Sequence, residues 1–460
     1  MAGLPTESPS DKSLGLPPRQ AALRVLQEHE STGAYLKDLF PRFLDSLTAQ
    51  DKALARTLAL GLLRHRTFLD FHIDRLAPRG VSHPGLRGVL RLGAFQILLL
   101  DGIPVHAAVN TTVELARRKF GKPLAGFANA LLKNLSRQGL QKPPGDGPES
   151  LAVATSHPLW LVRRWCLALG EPEAVRALHR SNEEAPVWLR VNPLRTTLEE
   201  AMTALRAADL TGEPDPEAPL FLRLRGGSDK VLRLPLFAAG GLSFQDPAAY
   251  FVARLLRWEP GLSALDFCSA PGGKAALLLE MALAEGSSRE GHGIVCADNS
   301  PRRLRRIGDA QNRLGHRSPR GALWPVAQDG LRPALKTAFD RVLADVPCSN
   351  LGVIGRRPEA RWRVRETDLR EQAKTQLALL TSAAASVASQ GRLVYATCSP
   401  EPEETREVVA AFLAGHGGFR LDDASDRIPQ RLVRDRCLHL YPGETDYDGF
   451  FAAALVRVDG

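Results

Sequence analysis

Two of the six cysteines in this 460-residue chain stand where a thiol can do chemistry. Cys348 lies in Asp345-Val346-Pro347-Cys348-Ser349 and Cys398 in Thr397-Cys398-Ser399-Pro400, each directly after an apolar run that reads as a β-strand. A free cysteine is ordinarily a small buried hydrophobe, and Cys166, Cys296 and Cys437 are read that way. The polar flanks of Cys348 and Cys398 do not suit a core. In an open parallel sheet, adjacent carboxyl ends face one crevice, so both thiols can meet there. A thiolate that adds to carbon 6 of a cytosine ring breaks its aromaticity and makes carbon 5 enamine-like, able to attack an electrophilic methyl group. A second thiol beside the first is suited to help expel the enzyme as the carbon-5 proton leaves.

A second constellation supplies a place for the methyl donor. Another expected strand runs into Asp266-Phe267-Cys268-Ser269-Ala270-Pro271-Gly272-Gly273-Lys274, and a helix follows. Paired glycines at a strand-to-helix turn let the backbone approach a ligand with no Cβ in the way. The pattern is neither G-x-G-x-x-G nor G-x-x-x-x-G-K-[ST], which disfavours a dinucleotide or a triphosphate. Asp298, closing the next strand, is placed to accept from both ribose hydroxyls, and Asp329, after the third, from an adenine amino group. Singly, each Asp is an ordinary loop or cap residue. Together they suit an adenosine that carries an amino acid and lacks phosphates, which is S-adenosylmethionine.

These residues must be positioned by the elements around them. From residue 262 onward, apolar strands alternate with amphipathic helices, the signature of an α/β doubly wound domain. Strands are expected at 262–267, 293–297, 323–327, 341–344, 392–396 and 450–456, with a long helix over 367–388. Residues 19–140 read as an all-α domain, with apolar positions at helical spacing such as Leu86, Val89, Leu90, Gly93, Ala94 and Ile97. It follows a disordered tail, 1–18, and ends at a Pro/Gly linker, QKPPGDGPES. Residues 151–240 read as a small α+β connector, with a helix at 159–169 and strands at 188–191 and 231–234, and 241–460 as the catalytic domain. Asp246-Pro247 has a sufficient capping explanation.

The formal charge is +9, from 60 Lys and Arg against 51 Asp and Glu; residues 20–140 hold 17 basic and 9 acidic residues, so this one segment carries +8. Such a module suits a polyanion, through phosphate contacts and counterion release. Forty-four per cent hydrophobic and 24% charged residues exclude a disordered chain. No Cys-x-x-Cys pair or zinc-spaced His cluster is present, so neither a metal nor a disulfide scaffold is expected. With no signal-like start and no apolar run long enough for a membrane, a cytoplasmic monomer is expected.

Taken together, the chain resembles the RNA (cytosine-5) methyltransferases, and within them the bacterial ribosomal RNA small-subunit methyltransferase B family. The similarity rests on Pro-Cys-Ser and Thr-Cys-Ser at two strand ends, the Cys268–Lys274 turn, Ser156-His157-Pro158 with Trp160, Phe244-Gln245-Asp246 and Asp448-Gly449-Phe450-Phe451. In the helical domain, Leu92-Gly93-Ala94-Phe95-Gln96 and Pro104-Val105-His106-Ala107-Ala108-Val109-Asn110 look like a NusB fold. The resemblance implies a Rossmann-like S-adenosylmethionine-dependent domain behind a NusB-like domain. Its substrate would be small-subunit (16S) ribosomal RNA or a subunit assembly intermediate. It makes Cys398 the nucleophile and Cys348 the aid to product release, and assigns Cys268, Ser269, Ala270, Pro271, Gly272, Gly273, Lys274, Asp298, Asp329 and Asp345 to the cofactor or the base. Chemically, Asp345 can accept the cytosine amino proton, and Lys274 either orients Asp345 or the base or is a solvated first-turn lysine. Ser269, Val346, Asn350-Leu351 and Thr405 depart from the usual pattern without touching a reacting group.

Downstream of Cys348, Arg356, Arg357, Arg361, Trp362 and Arg363 put guanidinium groups around an indole, a composition able to grip phosphates and stack on a splayed base. The alternative is a loop with incidental charge. An unpaired cytosine is the easier substrate, since a paired one must be flipped out. A DNA methyltransferase would need only the Cys after Pro347, so Thr397-Cys398-Ser399 argues for RNA. Transfer RNA or another RNA as substrate, and a non-catalytic RNA-binding assembly factor, are the alternatives.

Overall fold

The computed structural model describes residues 15–259, 261–284, 292–316, 321–335 and 337–458. The chain divides into two compact units, Met1–Glu183 with Ile354–Arg363, and Glu184–Val353 with Val364–Gly460.

Among the described residues, the elements of the first unit are all helices. Its first helix among the described residues, Leu16–Thr32, opens with prolines at its first positions, where a missing N–H costs nothing. Residues 16–18 of the expected tail are therefore helical, and residues 1–14 lie outside the described residues. Helices Ala49–Arg64, Pro84–Leu98, Val105–Phe120 and Lys122–Gln138 bury apolar stripes; Leu86, Val89, Leu90 and Ala94 of the expected one are buried, with Leu58, Leu62, Leu131 and Leu132 beside them in the core. Helices Pro148–Thr155, Leu159–Leu169 and Glu171–Arg180, expected to belong with the connector, fall in this unit.

Residues 354–363 also belong to it, and they correct the expectation of RNA contact for Arg361 and Trp362. Arg361 is fully buried. Its guanidinium donates to Asn182 Oδ1 at 2.6 Å, Ser181 O at 3.2 Å and Ser156 O at 3.3 Å. Trp362 donates its indole N–H to Leu63 O at 2.8 Å and packs on the helical core. A side chain consumed in this way is not available to phosphate, so Arg361 and Trp362 anchor the segment. Arg363 is exposed, and its guanidinium, like that of Arg357, lies over the Tyr35 ring.

The second unit opens with an antiparallel four-stranded sheet made of β1 (Val187–Val191), β2 (Thr211–Pro214), β3 (Phe221–Arg225) and β4 (Leu242–Phe244), in the order β2-β3-β1-β4. The strand expected at 231–234 is absent. Ser228–Val231 is a short helix and Pro235 starts another, so the proline that interrupts the alternation breaks it.

The main sheet contains β5 (Ala264–Asp266), β6 (His292–Asp298), β7 (Gly321–Ala327), β8 (Phe339–Asp345), β9 (Val387–Thr397), β10 (Phe419–Leu421), β11 (Val433–Arg434), β12 (Cys437–Leu440) and β13 (Phe450–Arg457). All six expected strands are present, and the long helix runs Glu366–Ala384. The order is β11-β12-β13-β9-β8-β5-β6-β7, with β10 on β13; β5 to β9 are mutually parallel and β13 is antiparallel to β9. Alternate strand residues feed two cores: Leu343, Val394 and Ala396 face one, while Val342, Ala344, Leu393 and Tyr395 face the other. From β5 the chain winds outward through β6 and β7, then returns to place β8 on the other side of β5. The strand order thus reverses between β5 and β8, and a crevice opens at their carboxyl ends.

Candidate active site

The loops after β5 and β8 flank this switch point, and the end of β9 lies beside them. The Cys348 and Cys398 sulfurs are 2.9 Å apart. The topology therefore unites two thiols that are fifty residues apart in the sequence. Gly352 locks this arrangement: its N–H donates to Cys398 O at 2.9 Å, and its carbonyl accepts from Gly449 N–H at 2.8 Å. A Cβ there would lie 2.1 Å from Gly449 O and 2.7 Å from Cys398 O. Only glycine fits. Asn350, in left-handed backbone at φ 64°, donates to Cys348 O at 3.0 Å and its Oδ1 accepts from the Cys398 thiol at 3.4 Å, so this departure from the usual pattern, expected to touch neither thiol, meets one directly.

The Cys398 thiol is held well above its ordinary pKa by its hydrogen bond to Cys348 and by burial; the Cys348 and Asp345 charges add to this, and Lys274 opposes it. The resting Cys398 side chain is thus a thiol, and it must lose its proton before it could act as a nucleophile. Lys274 Nζ lies 2.6 Å from Asp345 Oδ2 and 5.0 Å from the Phe450 ring centre, so it is not the solvated lysine of the alternative reading. Burial works against its ammonium, but the charge of Asp345 and the hydrogen bond to it outweigh burial and raise its pKa.

On the β5 side, Asp298 accepts from Ala270 N–H at 3.1 Å and Ser300 N–H at 2.9 Å, with the Arg303 guanidinium 3.5 Å away. The carboxylate pins the glycine turn to the end of β6. Gly272 takes φ +94°, and a Cβ there would approach Ile307 to 2.9 Å. Asp329 is exposed, and its Oδ1 caps a turn by accepting from Leu331 N–H.

Asp266 was not singled out from the sequence, where it reads as the last strand residue before the turn. It is 2% exposed, and burial, reinforced by Asp345 and Asp298, raises its carboxyl to about 7. Its Oδ1 is buried without a hydrogen-bond partner. An orphaned polar atom beside a glycine cradle is what a polar ligand would satisfy. The neighbouring carboxyl groups of Asp298 and Asp345 disfavour a phosphate beside the turn, so the residues fit an adenosine that bears a sulfonium.

The connector sheet braces this turn. Arg190, on β1, is 2% exposed; it donates to Gly273 O at 2.9 Å, to Gln245 Oε1, and to Glu280 Oε1 at 3.0 Å. The Glu280 carboxylate is fully buried and also meets His316 Nε2 at 3.0 Å. Sequence reading missed this network because its members lie on separate elements. Asp246 stands one residue before the N-cap, which is Pro247 rather than Asp246 as expected; it accepts from Ala248 N–H in a local turn and also from Asp448 N–H. Among the described residues, no group of His, Cys, Asp and Glu could hold a metal ion, and no helix is long and apolar enough to cross a membrane.

Comparison with known proteins agrees with this architecture. Residues 253–456 match the 16S rRNA methyltransferase RsmB/F family, 16–137 the NusB family, and 157–229 the ferredoxin-like domain of the RsmF/B-like methyltransferases. The chain is 32% identical to a probable ribosomal RNA small subunit methyltransferase B of Synechocystis over 95% of this chain and 99% of that one. It is 31% identical to the Bacillus subtilis protein so described, over 95% and 98%. Among solved structures, PH0851 shares the fold with a TM-score of 0.76 at 23% identity, covering 98% of this chain and 99% of the other. NSun6 from Pyrococcus horikoshii shares it with a TM-score of 0.56 at 20% identity, over 66% and 99%. The chain belongs to the 16S rRNA methyltransferase RsmB/F family.

Proposed function

We propose that this protein transfers a methyl group from S-adenosylmethionine to carbon 5 of a cytosine in small-subunit ribosomal RNA, through a covalent adduct between Cys398 and carbon 6. The observation that carries the reading is the pair of thiols, 2.9 Å apart, at the strand-order reversal. The substrate class rests on the relatives, which are described as small-subunit ribosomal RNA methyltransferases.

The Cys268–Lys274 turn with Asp298 and Asp329 would hold the cofactor, which supplies an electrophilic methyl group when bound. Cys398 loses its proton and its sulfur bonds carbon 6; the electron pair of the 5,6 double bond shifts to carbon 5, which then takes the methyl group. Asp345, fixed by Lys274, accepts from the exocyclic amine and orients the ring. Cys348, on the sulfur side of the adduct, assists removal of the carbon-5 proton as the carbon–sulfur bond breaks. Arg356, Arg357 and Arg363 remain proposed RNA contacts.

The test is methyl transfer from tritiated S-adenosylmethionine to small-subunit ribosomal RNA, with nucleosides identified by mass spectrometry. Wild type should yield 5-methylcytidine, and Cys398→Ala should yield none. Transfer by Cys398→Ala at a rate near wild type, or a product methylated elsewhere, would remove the covalent reading.

A further inference from the structure

Both cysteines are followed by serine, and neither serine has a role in the chemistry above. In the structure the two side chains converge beneath the thiols on one carboxylate. The hydroxyls of Ser349 and Ser399 each donate to Glu404 Oε2 at 2.5 Å and lie 3.2 Å from one another. The other oxygen, Oε1, accepts from Ser349 N–H and from Gln376 Nε2, both at 2.9 Å. Gln376 also donates to Pro347 O at 3.0 Å, and the Tyr395 hydroxyl donates to Glu404 O at 2.6 Å. Glu404, Ser399, Gln376 and Tyr395 are fully buried, and Ser349 is 5% exposed.

A buried carboxylate is costly unless hydrogen bonds replace its water, and here four neutral donors do so. They come from the loop after β8, the end of β9 and the helix Glu366–Ala384. One rigid two-oxygen acceptor thereby fixes the residue that follows each cysteine. We propose that Glu404 is a positioning residue whose carboxylate, through Ser349 and Ser399, holds the Cys348 and Cys398 thiols at the spacing that two-thiol catalysis needs. It touches neither substrate nor reacting sulfur. The proposal rests on the two-cysteine reading for its catalytic meaning, but the spacing can be measured without RNA.

Phenylarsine oxide bonds two thiols at once with loss of water, and its affinity tracks how closely the second thiol is held to the first. In the full-length protein, wild type should bind one equivalent across the pair, and Cys348→Ala and Cys398→Ala should each lose it. Ser349→Ala with Ser399→Ala leaves the carboxylate two donors and should weaken binding by about tenfold. The same double variant should slow methyl transfer by up to about a hundredfold, the scale of a 1 Å misplacement, with S-adenosylmethionine affinity unchanged. Glu404→Gln keeps the shape, and its amide can donate to the two hydroxyl oxygens, so it should stay within about threefold of wild type in both assays. Glu404→Ala strands all the donors; if it fails to fold, the serine pair carries the test. Folded serine variants that bind the arsenical as wild type does would overturn the proposal, as would a wild type that does not bind it. If the arsenical weakens as expected while Cys398→Ala still methylates RNA, the positioning role stands and the catalytic reading falls.

Discussion

Arg190→Met isolates the contribution of the buried network behind the glycine turn. Removing the guanidinium leaves the fully buried Glu280 carboxylate without its cation and takes a donor from Gly273 O. Breaking a buried ion pair by deleting one partner costs about 3–5 kcal/mol, because the remaining charge is stranded. Arg190 Nε, Glu280 Oε2 and His316 Nδ1 are already without partners, so little spare hydrogen bonding is available to absorb the loss. For a unit of this size the cost corresponds to a fall of about 6–20 °C in its melting temperature, read by calorimetry. The double variant Arg190→Met with Glu280→Leu replaces both charges by apolar groups and should recover most of the loss. Isothermal titration should show weaker S-adenosylmethionine binding in Arg190→Met, since the turn loses its brace. A single variant melting within about 2 °C of wild type, or a double variant that loses the sum of two large single effects, would refute the reasoning.

Three further outcomes follow. Asp266 is raised from 3.8 to about 7, so the folded state binds its proton more tightly than the unfolded state. Its contribution is complete below about pH 4 and is lost as pH rises through about 7, with a ceiling of about 4 kcal/mol. Urea unfolding of Asp266→Asn should therefore lack a decline that wild type shows across that window, and parallel profiles would count against the assignment. Arg361→Ala should destabilise the helical unit by about 2–4 kcal/mol and leave the salt slope of RNA binding in place, whereas Arg363→Ala should reduce that slope by about one unit without a change in melting. The reverse pattern would restore Arg361 to the RNA surface. Because the Cys398 thiol is held protonated, adduct formation in single-turnover assays should accelerate as pH rises, with no plateau in the ordinary thiol range. Lys274→Met, which removes the cation that favours the thiolate, should be slower at every pH; a flat profile equal to wild type would be inconsistent with this.

Much of the catalytic half was legible in the sequence because its signals are local. Strands buried on both faces appear as short apolar runs, and the six expected ones are present, so their carboxyl ends could be assigned to glycine, Asp and Cys residues. What was missed depends on residues far apart in the sequence. Arg361 looks like surface charge until Ser156, Ser181 and Asn182 are placed around it. Arg190 reads as one polar position in a short strand, although Glu280 lies ninety residues away. Glu404 stood in a visible Glu403-Glu404 pair, and the Cys-Ser dipeptide occurs at both strand ends. That repetition was a usable signal, but nothing local showed that both serines turn toward one acceptor. The strand expected at 231–234 failed for the opposite reason: alternation suggested it, and Pro235 with the adjacent short helices overrode the pattern.

The central claim is a bond between one named sulfur and a pyrimidine ring. Incubating Cys348→Ala with S-adenosylmethionine and small-subunit ribosomal RNA, followed by denaturing electrophoresis and mass spectrometry of the nuclease-trimmed peptide, tests it directly. The account predicts a denaturant-resistant protein–RNA species whose modified residue is Cys398 and whose cytosine carries the new methyl group. Full turnover by Cys348→Ala with no trapped species, or a trapped ring bonded to any other residue, would contradict it.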